Sequence, residues 1–367
     1  MTDTADAKQP LAMGHESASR FRAYRSVSYF QNLNGLRFIC IAMVLWHHAQ
    51  PVQSETWPIL DRGFLGVDFF FVLSGFLITT LLLRERDRTG RFSLRHFYIR
   101  RALRILPVYF FVVTLVAAYF IGIKGETRYF TQLPYYYLFL SNFLTDHIPT
   151  LSITWSLSVE EQYYLLWPLA LLLLPSRWVV PVLGVLIALN VTAAMGLFGV
   201  TPPQLGPLTF KLPVATYAPI LMGSLAAVLL NSQRGYAAFD TVLGKPLAPW
   251  VCAVLLAITI QITPFDLRGL PNLLIHVLMT ATLITLVLYE DTVWSPFLTH
   301  PFIARVGEVS YGIYLYHLLA LHVVHALGIA NGWLILIAYS LISVLIAEVS
   351  FRTLERWFLN KRPAPAG

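Results

Sequence analysis

Long apolar runs constrain the fold of this 367-residue chain more than any other feature. Hydrophobic residues make up 57% of the sequence and charged residues 12%, whereas soluble domains carry about 25% charged residues. Several runs approach the roughly 20 residues that a helix needs to cross a bilayer. They lack the alternation of barrel strands, and only helices and closed barrels satisfy backbone polar groups in lipid. The sequence therefore predicts an all-α, polytopic membrane bundle.

Apolar runs predict about ten transmembrane helices. They lie at 34–52, 64–83, 103–122, 157–174, 178–198, 213–230, 248–264, 271–289, 308–327 and 332–351. A shorter aromatic segment, 131–145, would be an eleventh span if it crossed. With ten spans and a cytoplasmic N-terminus, all but five of the 26 Lys and Arg residues lie on the cytoplasmic side. The positive-inside rule therefore favours ten spans, both termini cytoplasmic, and 131–145 as a re-entrant or interfacial segment.

Two ionisable residues stand at the ends of the first predicted span. Arg37 and His48 are eleven positions apart, which is three helical turns plus about 20°. They therefore share one helix face, roughly 16 Å apart along the axis. Ionisable residues inside a bilayer are costly and usually mark a pathway or a reaction site. The pair indicates that a charged molecule binds at one side of the membrane and reacts deeper within the bilayer.

The loop after the second span is rich in arginine and lacks lysine. From Arg84 to Arg104 it reads RERDRTGRFSLRHFYIRRALR. A basic cytoplasmic loop of this kind fixes the orientation of the protein in the membrane and contacts anionic lipid. Exclusive use of arginine also favours bidentate phosphate recognition. Arg100, Arg101 and Arg104, at the start of the third span, are the candidate ligands.

Two further polar clusters border predicted spans. GVDFFFVLSGFLIT, residues 66–79, carries Asp68 in apolar surroundings, where a carboxylate is costly unless it pairs, for example with Arg62. Ser74 and Gly75 in the same segment are typical of close helix packing. WSLSVEEQYYLLWP, residues 155–168, carries two glutamates, a glutamine and a tryptophan. A capping box of Ser158 and Glu161 explains part of this polar cluster, and a role in lining a site explains its other polar residues.

The ninth predicted span carries VGEVSYGIYLYHLLALHVVH, which contains Tyr314 and His317. His317 fits either a packed, hydrogen-bonded histidine or a site residue. His322 and His325 follow at i, i+3 spacing, but no further ligand lies near them in sequence. A metal site there is not expected.

Taken together, these segments are similar to the acyltransferase-3 family of bacterial membrane O-acyltransferases. The matching stretches, in the order of the family's motifs, are LNGLRFICIAMVLWHHA, GVDFFFVLSGFLIT, FYIRRALRILPVYF, WSLSVEEQYYLLWPL, SYGIYLYH and FRTLE, within residues 33–355. The family's pattern of arginine, ten residues and histidine falls on Arg37 and His48. Asn34 stands where an aspartate is common in the family.

The resemblance implies transfer of an acyl group, commonly acetyl, from acyl-CoA to a hydroxyl. Acceptors in the family include cell-surface polysaccharides, lipid-linked sugars and small secondary metabolites. On this basis His48 is predicted as general base and Glu160 as a second catalytic residue. The predicted acyl-CoA ligands are Arg37, Arg100, Arg101 and Arg104, and the predicted acceptor-site residues are Asp68, Trp155, Ser158, Gln162, Tyr314 and His317.

The polar, basic composition of residues 1–30 predicts a disordered arm. An acyltransferase-3-like membrane domain over 31–358 and a short cytoplasmic tail over 359–367 follow it. We expect a location in the bacterial inner (plasma) membrane. Acyl-CoA is the expected donor substrate; no tightly bound cofactor, no metal and no nucleic-acid partner are expected, since the basic residues cluster between spans. A proton-coupled transporter is the alternative, because intramembrane Arg, His and Asp residues suit a carrier equally well.

Overall fold

The computed structural model of the chain describes residues 9–54, 56–199, 201–210, 217–264, 267 and 269–363. Within these ranges the chain is mainly helical and contains very little sheet. The first helices are α1 Gln9–Ser26, α2 Asn32–Ala49, α3 Pro58–Asp61, α4 Leu65–Thr89, α5 Leu94–Ala117, α6 Leu133–Tyr137, α7 Thr154–Leu173 and α8 Ser176–Ala194. The remaining helices are α9 Ala218–Leu230, α10 Gln233–Leu243, α11 Ala248–Ile262, α12 Leu270–Leu288, α13 Ser295–Leu298, α14 Pro301–Glu308, α15 Ser310–Ala326, α16 Gly332–Ser350 and α17 Arg356–Leu359.

Short irregular elements complete the description. Two π-helical segments, Ala118–Ile123 and Phe351–Glu355, continue α5 and α16. Three 3₁₀ turns are Thr127–Thr131, Ser141–Phe143 and Pro149–Leu151. Strands β1 Gln204–Leu205 and β2 Leu208–Thr209 form an antiparallel hairpin that pairs Gln204 with Thr209.

The predicted helical membrane architecture is confirmed in its class. Five helical stretches are long and apolar enough to cross a membrane: Leu65–Thr89, Leu94–Ile123, Ser176–Ala194, Leu270–Leu288 and Gly332–Leu359. Helices α10 and α11, bent by 76° at their junction, make a sixth if they count as one span. The other predicted spans also fall on helices, which are shorter or have polar ends: α2, α7, α9 and α15. The count of ten crossings therefore stays a prediction.

The aromatic segment 131–145 is not one continuous helix. It holds the five-residue helix α6 and the 3₁₀ turn Ser141–Phe143. Five residues rise only about 7.5 Å, far less than the roughly 30 Å of a hydrocarbon core. A single straight crossing is therefore absent within this segment, and its placement at an interface or in a re-entrant loop stays a prediction.

Helix α4 lies at the centre of the bundle. It packs against α2, α7, α9 and α12. Its contact with α9 is close because glycines face backbone: a Cβ atom at Gly75 would collide with the carbonyl oxygen of Ile220, and one at Gly223 with that of Val72. Small residues at such positions let helices approach, as predicted for Gly75. This packing holds the residues of α4 in fixed positions against the other site helices.

The N-terminal segment is helical where the structure describes it. A disordered arm was predicted over 1–30; residues 1–8 lie outside the described residues, and Gln9–Ser26 form α1. Tyr24 is buried, with its ring 5.4 Å from that of Tyr236. Arg25 forms an ion pair with Asp87 near the C-terminal end of α4 at 2.8 Å. Aromatic packing that the local sequence pattern does not reveal thus fixes this helix to the bundle.

Candidate active site

A cavity of about 570 Å³ opens at the end of the bundle that carries the arginine-rich loop. This volume lies within the range of roughly 300–1,000 Å³ typical of small-molecule sites. Helices α2, α4, α5, α7 and α15 supply most of its wall. The cavity therefore combines the segments that the sequence singled out, although they are far apart along the chain.

The predicted arginine cluster is present at this cavity. Arg37 from α2 and Arg100, Arg101 and Arg104 from α5 all line it. Their side chains are partly buried. Since these arginines converge from two separate helices, the predicted phosphate ligands are neighbours in space.

Only one of these four arginines forms an ion pair with an acidic side chain among the described residues. Arg100 forms an ion pair with Glu85 at 3.1 Å. Arg37 donates to the neutral Asn34 Oδ1 at 2.8 Å, and the guanidinium of Arg101 lies 4.6 Å from the centre of the Tyr164 ring. The mouth of the cavity therefore keeps an excess of positive charge that suits an anionic ligand.

Further into the cavity the lining becomes acidic. Glu160 and Glu161 of α7 both line it. Ser74 of α4 donates its Oγ hydrogen to Glu160 Oε1 at 2.6 Å. The predicted catalytic residue Glu160 is thus held by a serine whose sequence context suggested only helix packing. Ser74 carried no distinct signal, because a serine beside a glycine in an apolar helix is usually a packing residue.

The inner wall is closed by a hydrogen-bonded tyrosine. Tyr314 of α15 lines the cavity, and its hydroxyl shares a hydrogen bond with Ser156 Oγ at 2.7 Å. The same hydroxyl donates to the carbonyl oxygen of Ile153 at 3.2 Å. These bonds fix the ring at the junction between the cavity and the residues behind it.

Behind Tyr314 lie two histidines from different helices. His317, one turn further along α15, has its ring centre 5.5 Å from that of Tyr314 and 4.8 Å from that of His48. His317 is fully buried and its Nε2 atom has no hydrogen-bond partner among the described residues. Neither histidine lines the cavity itself. The structure therefore brings the predicted residues Tyr314, His317 and His48 together in series.

Both histidines have their tautomer set by a backbone carbonyl. His48 Nδ1 lies 2.9 Å from the Val44 carbonyl oxygen, and His317 Nδ1 lies 2.6 Å from that of Tyr314. A carbonyl oxygen only accepts, so Nδ1 of each neutral ring carries the hydrogen. The Nε2 atom of each ring is consequently left with a lone pair that can accept a proton.

Besides His317, four residues predicted to contact the acceptor lie outside the lining of this cavity. Asp68 Oδ2 lies 3.0 Å from Nε2 of the buried His276, so its partner is not the predicted Arg62. Gln162 donates to Asn142 Oδ1 at 2.9 Å, and the Trp155 ring lies 6.1 Å from Phe71.

Ser158, the last of these four, shares a hydrogen bond with Ser141 Oγ at 2.8 Å. Helix α7 begins at Thr154, so Ser158 lies inside the helix and the predicted capping box with Glu161 is wrong. The helix starts five residues earlier than the motif suggests, and the Ser158 side chain contacts the 3₁₀ turn Ser141–Phe143 instead of capping α7.

The histidines of α15 that follow the site do not gather ligands. His322 Nε2 lies 3.2 Å from the hydroxyl of Tyr119. Throughout the described ranges, no group of three or more His, Cys, Asp or Glu side chains is arranged to hold a metal ion. The expectation of no metal stays a prediction.

Comparison with known proteins identifies related chains. A family model described as an acyltransferase domain matches residues 30–350. A peptidoglycan O-acetyltransferase, OatA, of Listeria monocytogenes is 27% identical over 90% of this chain and 56% of its own length. A putative O-acetyltransferase of Staphylococcus aureus strain COL is 27% identical over 94% of this chain and 61% of its own.

A second Staphylococcus aureus protein, the O-acetyltransferase OatA of strain NCTC 8325, is 34% identical over 45% of this chain and 28% of its own length. The chain thus spans somewhat more than half the length of the first two relatives. No solved structure matches.

Proposed function

The chain belongs to the acyltransferase-3 family, and from that premise we propose that it is a membrane O-acyltransferase. The donor is a cytoplasmic acyl-CoA, with acetyl as the default acyl group. The acceptor is a hydroxyl of an extracytoplasmic or lipid-linked carbohydrate. One observation carries the proposal: a single cavity runs from four arginines to Glu160 and Tyr314, and two histidines follow directly behind.

The arginine-lined mouth suits the phosphates of the donor. Arginine forms bidentate, charge-assisted hydrogen bonds to phosphate, and Arg37, Arg101 and Arg104 have no ion pair among the described residues. Arg37 and His48 are separated by roughly 16 Å of helix. An extended pantetheine arm anchored at the mouth spans this distance and delivers the thioester towards the histidines.

His48 serves as the general base in this proposal. Its Nδ1–H is occupied by the Val44 carbonyl, so Nε2 is available to take the proton of the acceptor hydroxyl. The hydroxyl oxygen attacks the thioester carbonyl carbon, the new C–O bond forms, and the C–S bond breaks. The proton on His48 then passes to the departing CoA sulfur, which leaves the histidine neutral for the next cycle.

Glu160 and His317 support this chemistry. Glu160 accepts from Ser74 and faces the cavity, where its carboxylate orients a hydroxyl or a nearby imidazole. The ring of His317 packs edge-on against His48 at an interplanar angle of 70°. This contact restricts the orientation of the His48 ring, which general-base catalysis requires to be fixed.

The same end of the bundle carries both ends of the described chain, which supports an even number of crossings. Arg25 of α1 pairs with Asp87, and Arg362 beyond α17 lines the cavity beside Arg88 and Arg100. Ten crossings with cytoplasmic termini in the inner membrane satisfy this parity, whereas eleven do not. The donor cavity then opens to the cytoplasm, where acyl-CoA is found.

The carbohydrate acceptor is proposed from the relatives. Two of them are named as O-acetyltransferases called OatA, and one of these as acting on peptidoglycan. This chain spans 56% of the length of the Listeria relative, so the relative's acceptor is a proposal for this chain. The test of transfer therefore supplies the acceptor in several forms. A small secondary metabolite remains the alternative acceptor, and it belongs in the same panel.

The test uses the purified protein in nanodiscs with acetyl-CoA labelled in the acetyl group. The panel of acceptors consists of peptidoglycan fragments, lipid-linked oligosaccharides and a membrane extract. We expect label in the carbohydrate fraction together with release of free CoA. General acid–base catalysis contributes roughly 10²- to 10⁴-fold, so His48→Ala is expected to slow transfer by at least about a hundredfold.

His325→Ala is the matched control, because His325 is an exposed histidine on α15 away from the cavity. It is expected to retain wild-type activity. Transfer by His48→Ala at the wild-type rate would refute the general-base role. If wild type neither binds nor consumes acetyl-CoA with any acceptor, the transporter alternative replaces the enzyme.

A further inference from the structure

A fifth arginine reaches the mouth of the cavity from the far end of the sequence. Arg362 follows the short helix α17 and lines the cavity with Arg37, Arg100 and Arg101. Its backbone N–H donates to the carbonyl oxygen of Leu359 at 3.2 Å, and α17 packs against α5. The turn after α17 thus directs this side chain to the arginines of α5. Arg362 lies beyond residues 30–350, the part of the chain that the family model matches.

The guanidinium of Arg362 is incompletely satisfied. Its Nε and Nη2 atoms are buried and have no hydrogen-bond partner among the described residues. Burial, together with the neighbouring positive charges of Arg104, Arg101 and Arg100, lowers the pKa of Arg362 to about 10, and the charge of Glu355 acts in the opposite sense. The side chain is still protonated at neutral pH. Buried, unpaired N–H donors among like charges are costly, and an anion in the cavity would relieve that cost.

No acidic residue forms an ion pair with Arg362 among the described residues, and this includes Glu355. The carboxylate of Glu85 is engaged by Arg100 and by the backbone N–H of Ser93. Glu160 is engaged by Ser74, deeper in the cavity. A guanidinium with two free, adjacent donors matches two oxygens of one phosphate group.

We propose that Arg362 is a phosphate ligand of this cavity and that it binds the phosphate end of the donor together with the arginines of α5. The phosphate chemistry follows from Arg362 and its neighbours, whereas the identity of the donor rests on the proposed function. A phosphate of an anionic lipid headgroup has the same chemistry. The two sources are separated by experiment.

Binding is measured with the full chain in maltoside micelles, which contain no phosphate. CoA and, in a separate titration, inorganic pyrophosphate are added to wild type, Arg362→Ala and Arg356→Ala. Arg356 is the matched control because it is exposed and lies six residues upstream on α17. A third arm measures how much phosphatidylglycerol each protein retains after delipidation. The thermal midpoints of all three proteins show whether each is folded.

We expect Arg362→Ala to weaken CoA binding roughly ten- to a hundredfold, as loss of hydrogen bonds to a charged group does. Arg356→Ala is expected to bind within about twofold of wild type, since an exposed charge contributes little. Arg362→Lys, which keeps the charge but not the fork of donors, is expected to fall between wild type and Arg362→Ala.

Equal CoA affinity of wild type and Arg362→Ala would overturn the inference. A change confined to lipid retention would assign Arg362 to a headgroup and overturn its role toward the donor. If wild type binds no CoA, the proposed donor is wrong, and the pyrophosphate titration alone then decides whether Arg362 is a phosphate ligand. A wild type that binds neither anion refutes both proposals.

Discussion

Removal of the Asp68 carboxylate tests whether this residue stabilises the bundle or contacts a substrate. The sequence assigned it to the acceptor site, but Asp68 Oδ2 lies 3.0 Å from His276 Nε2, outside the cavity lining. Asp68 is 8% exposed and His276 2% exposed, so water cannot replace the lost partner. We therefore expect Asp68→Ala to lower stability and to leave the rate of transfer unchanged.

The size of the effect follows from burial and charge. A hydrogen bond to a charged group contributes about 1.5–3 kcal/mol, and removing one member of a buried pair costs about 3–5 kcal/mol. Asp68→Ala and His276→Ala are each expected to cost about 3 kcal/mol. Asp68→Asn retains a hydrogen-bonding group and is expected to cost about 1 kcal/mol. The double variant Asp68→Leu/His276→Leu removes both polar groups and is expected to be milder than either single alanine variant.

Unfolding in mixed micelles with increasing denaturing detergent, followed by helical circular dichroism, measures these differences. A double-mutant cycle with the two alanine variants is expected to give a coupling energy of about 1–3 kcal/mol. Acetyl transfer is measured on the same samples at a temperature where all are folded. An Asp68→Ala protein of wild-type stability that transfers at least tenfold more slowly would refute this reasoning and return Asp68 to the acceptor site.

Two further predictions concern the site helix α4. Ser74→Ala removes the donor to Glu160 Oε1 and is expected to slow acyl transfer about tenfold. The control is Ser343→Ala, which alters a buried serine of α16 outside the cavity and is expected to retain the wild-type rate. Equal rates for the two variants would contradict the supporting role of Ser74. Gly75→Ala introduces a Cβ that collides with the α9 backbone and is expected to cost about 1–3 kcal/mol in the same unfolding assay. Gly184→Ala, which meets open space in α8, is expected to stabilise by up to about 1 kcal/mol; a tolerated alanine at position 75 would show that α4 and α9 are not in close contact.

Hydropathy predicted the secondary structure of the membrane region well because it is a local property. Every predicted span falls on a helix within the described ranges, and α2 carries both Arg37 and His48 as the spacing predicted. Span length was less predictable. Helices α2 and α7 form as predicted but are not among the stretches that are long and apolar enough to cross a membrane. Helices α10 and α11 qualify only if the bent pair counts as one span.

The candidate site was predictable where unusual residues stood in apolar helices. Arg37 was singled out by the cost of placing a charge in a membrane, and the arginines of α5 by a loop that uses arginine and no lysine. Glu160 and Tyr314 were singled out by polar clusters beside apolar spans, and all of these residues line one cavity. The residues that sequence reasoning missed, Ser74 and Arg362, acquire their roles only from tertiary packing. A serine beside a glycine and an arginine near the C-terminus are ordinary in isolation.

One error in the site arose from a local motif whose register the tertiary structure changed. Ser158 was placed at a helix start, but α7 begins at Thr154, and the Ser158 side chain hydrogen-bonds with Ser141. The amide of Gln162 donates to Asn142 and to the carbonyl oxygen of Phe139, and its contact with an acceptor stays a prediction. No sequence pattern indicates these partners, because they come from the irregular segment before α7.

The central claim is that the arginine-lined cavity holds the donor, and protection of an introduced cysteine tests it most directly. Leu77, which lines the cavity on α4, is replaced by cysteine; the native Cys40 and Cys252 are both buried, so their background reaction with a maleimide is low. Arg356→Cys, exposed on α17, is the control. The account predicts that saturating CoA slows labelling of the cysteine at position 77 at least tenfold and leaves that at position 356 unchanged. Labelling of position 77 at the same rate with CoA demonstrably bound would contradict the account.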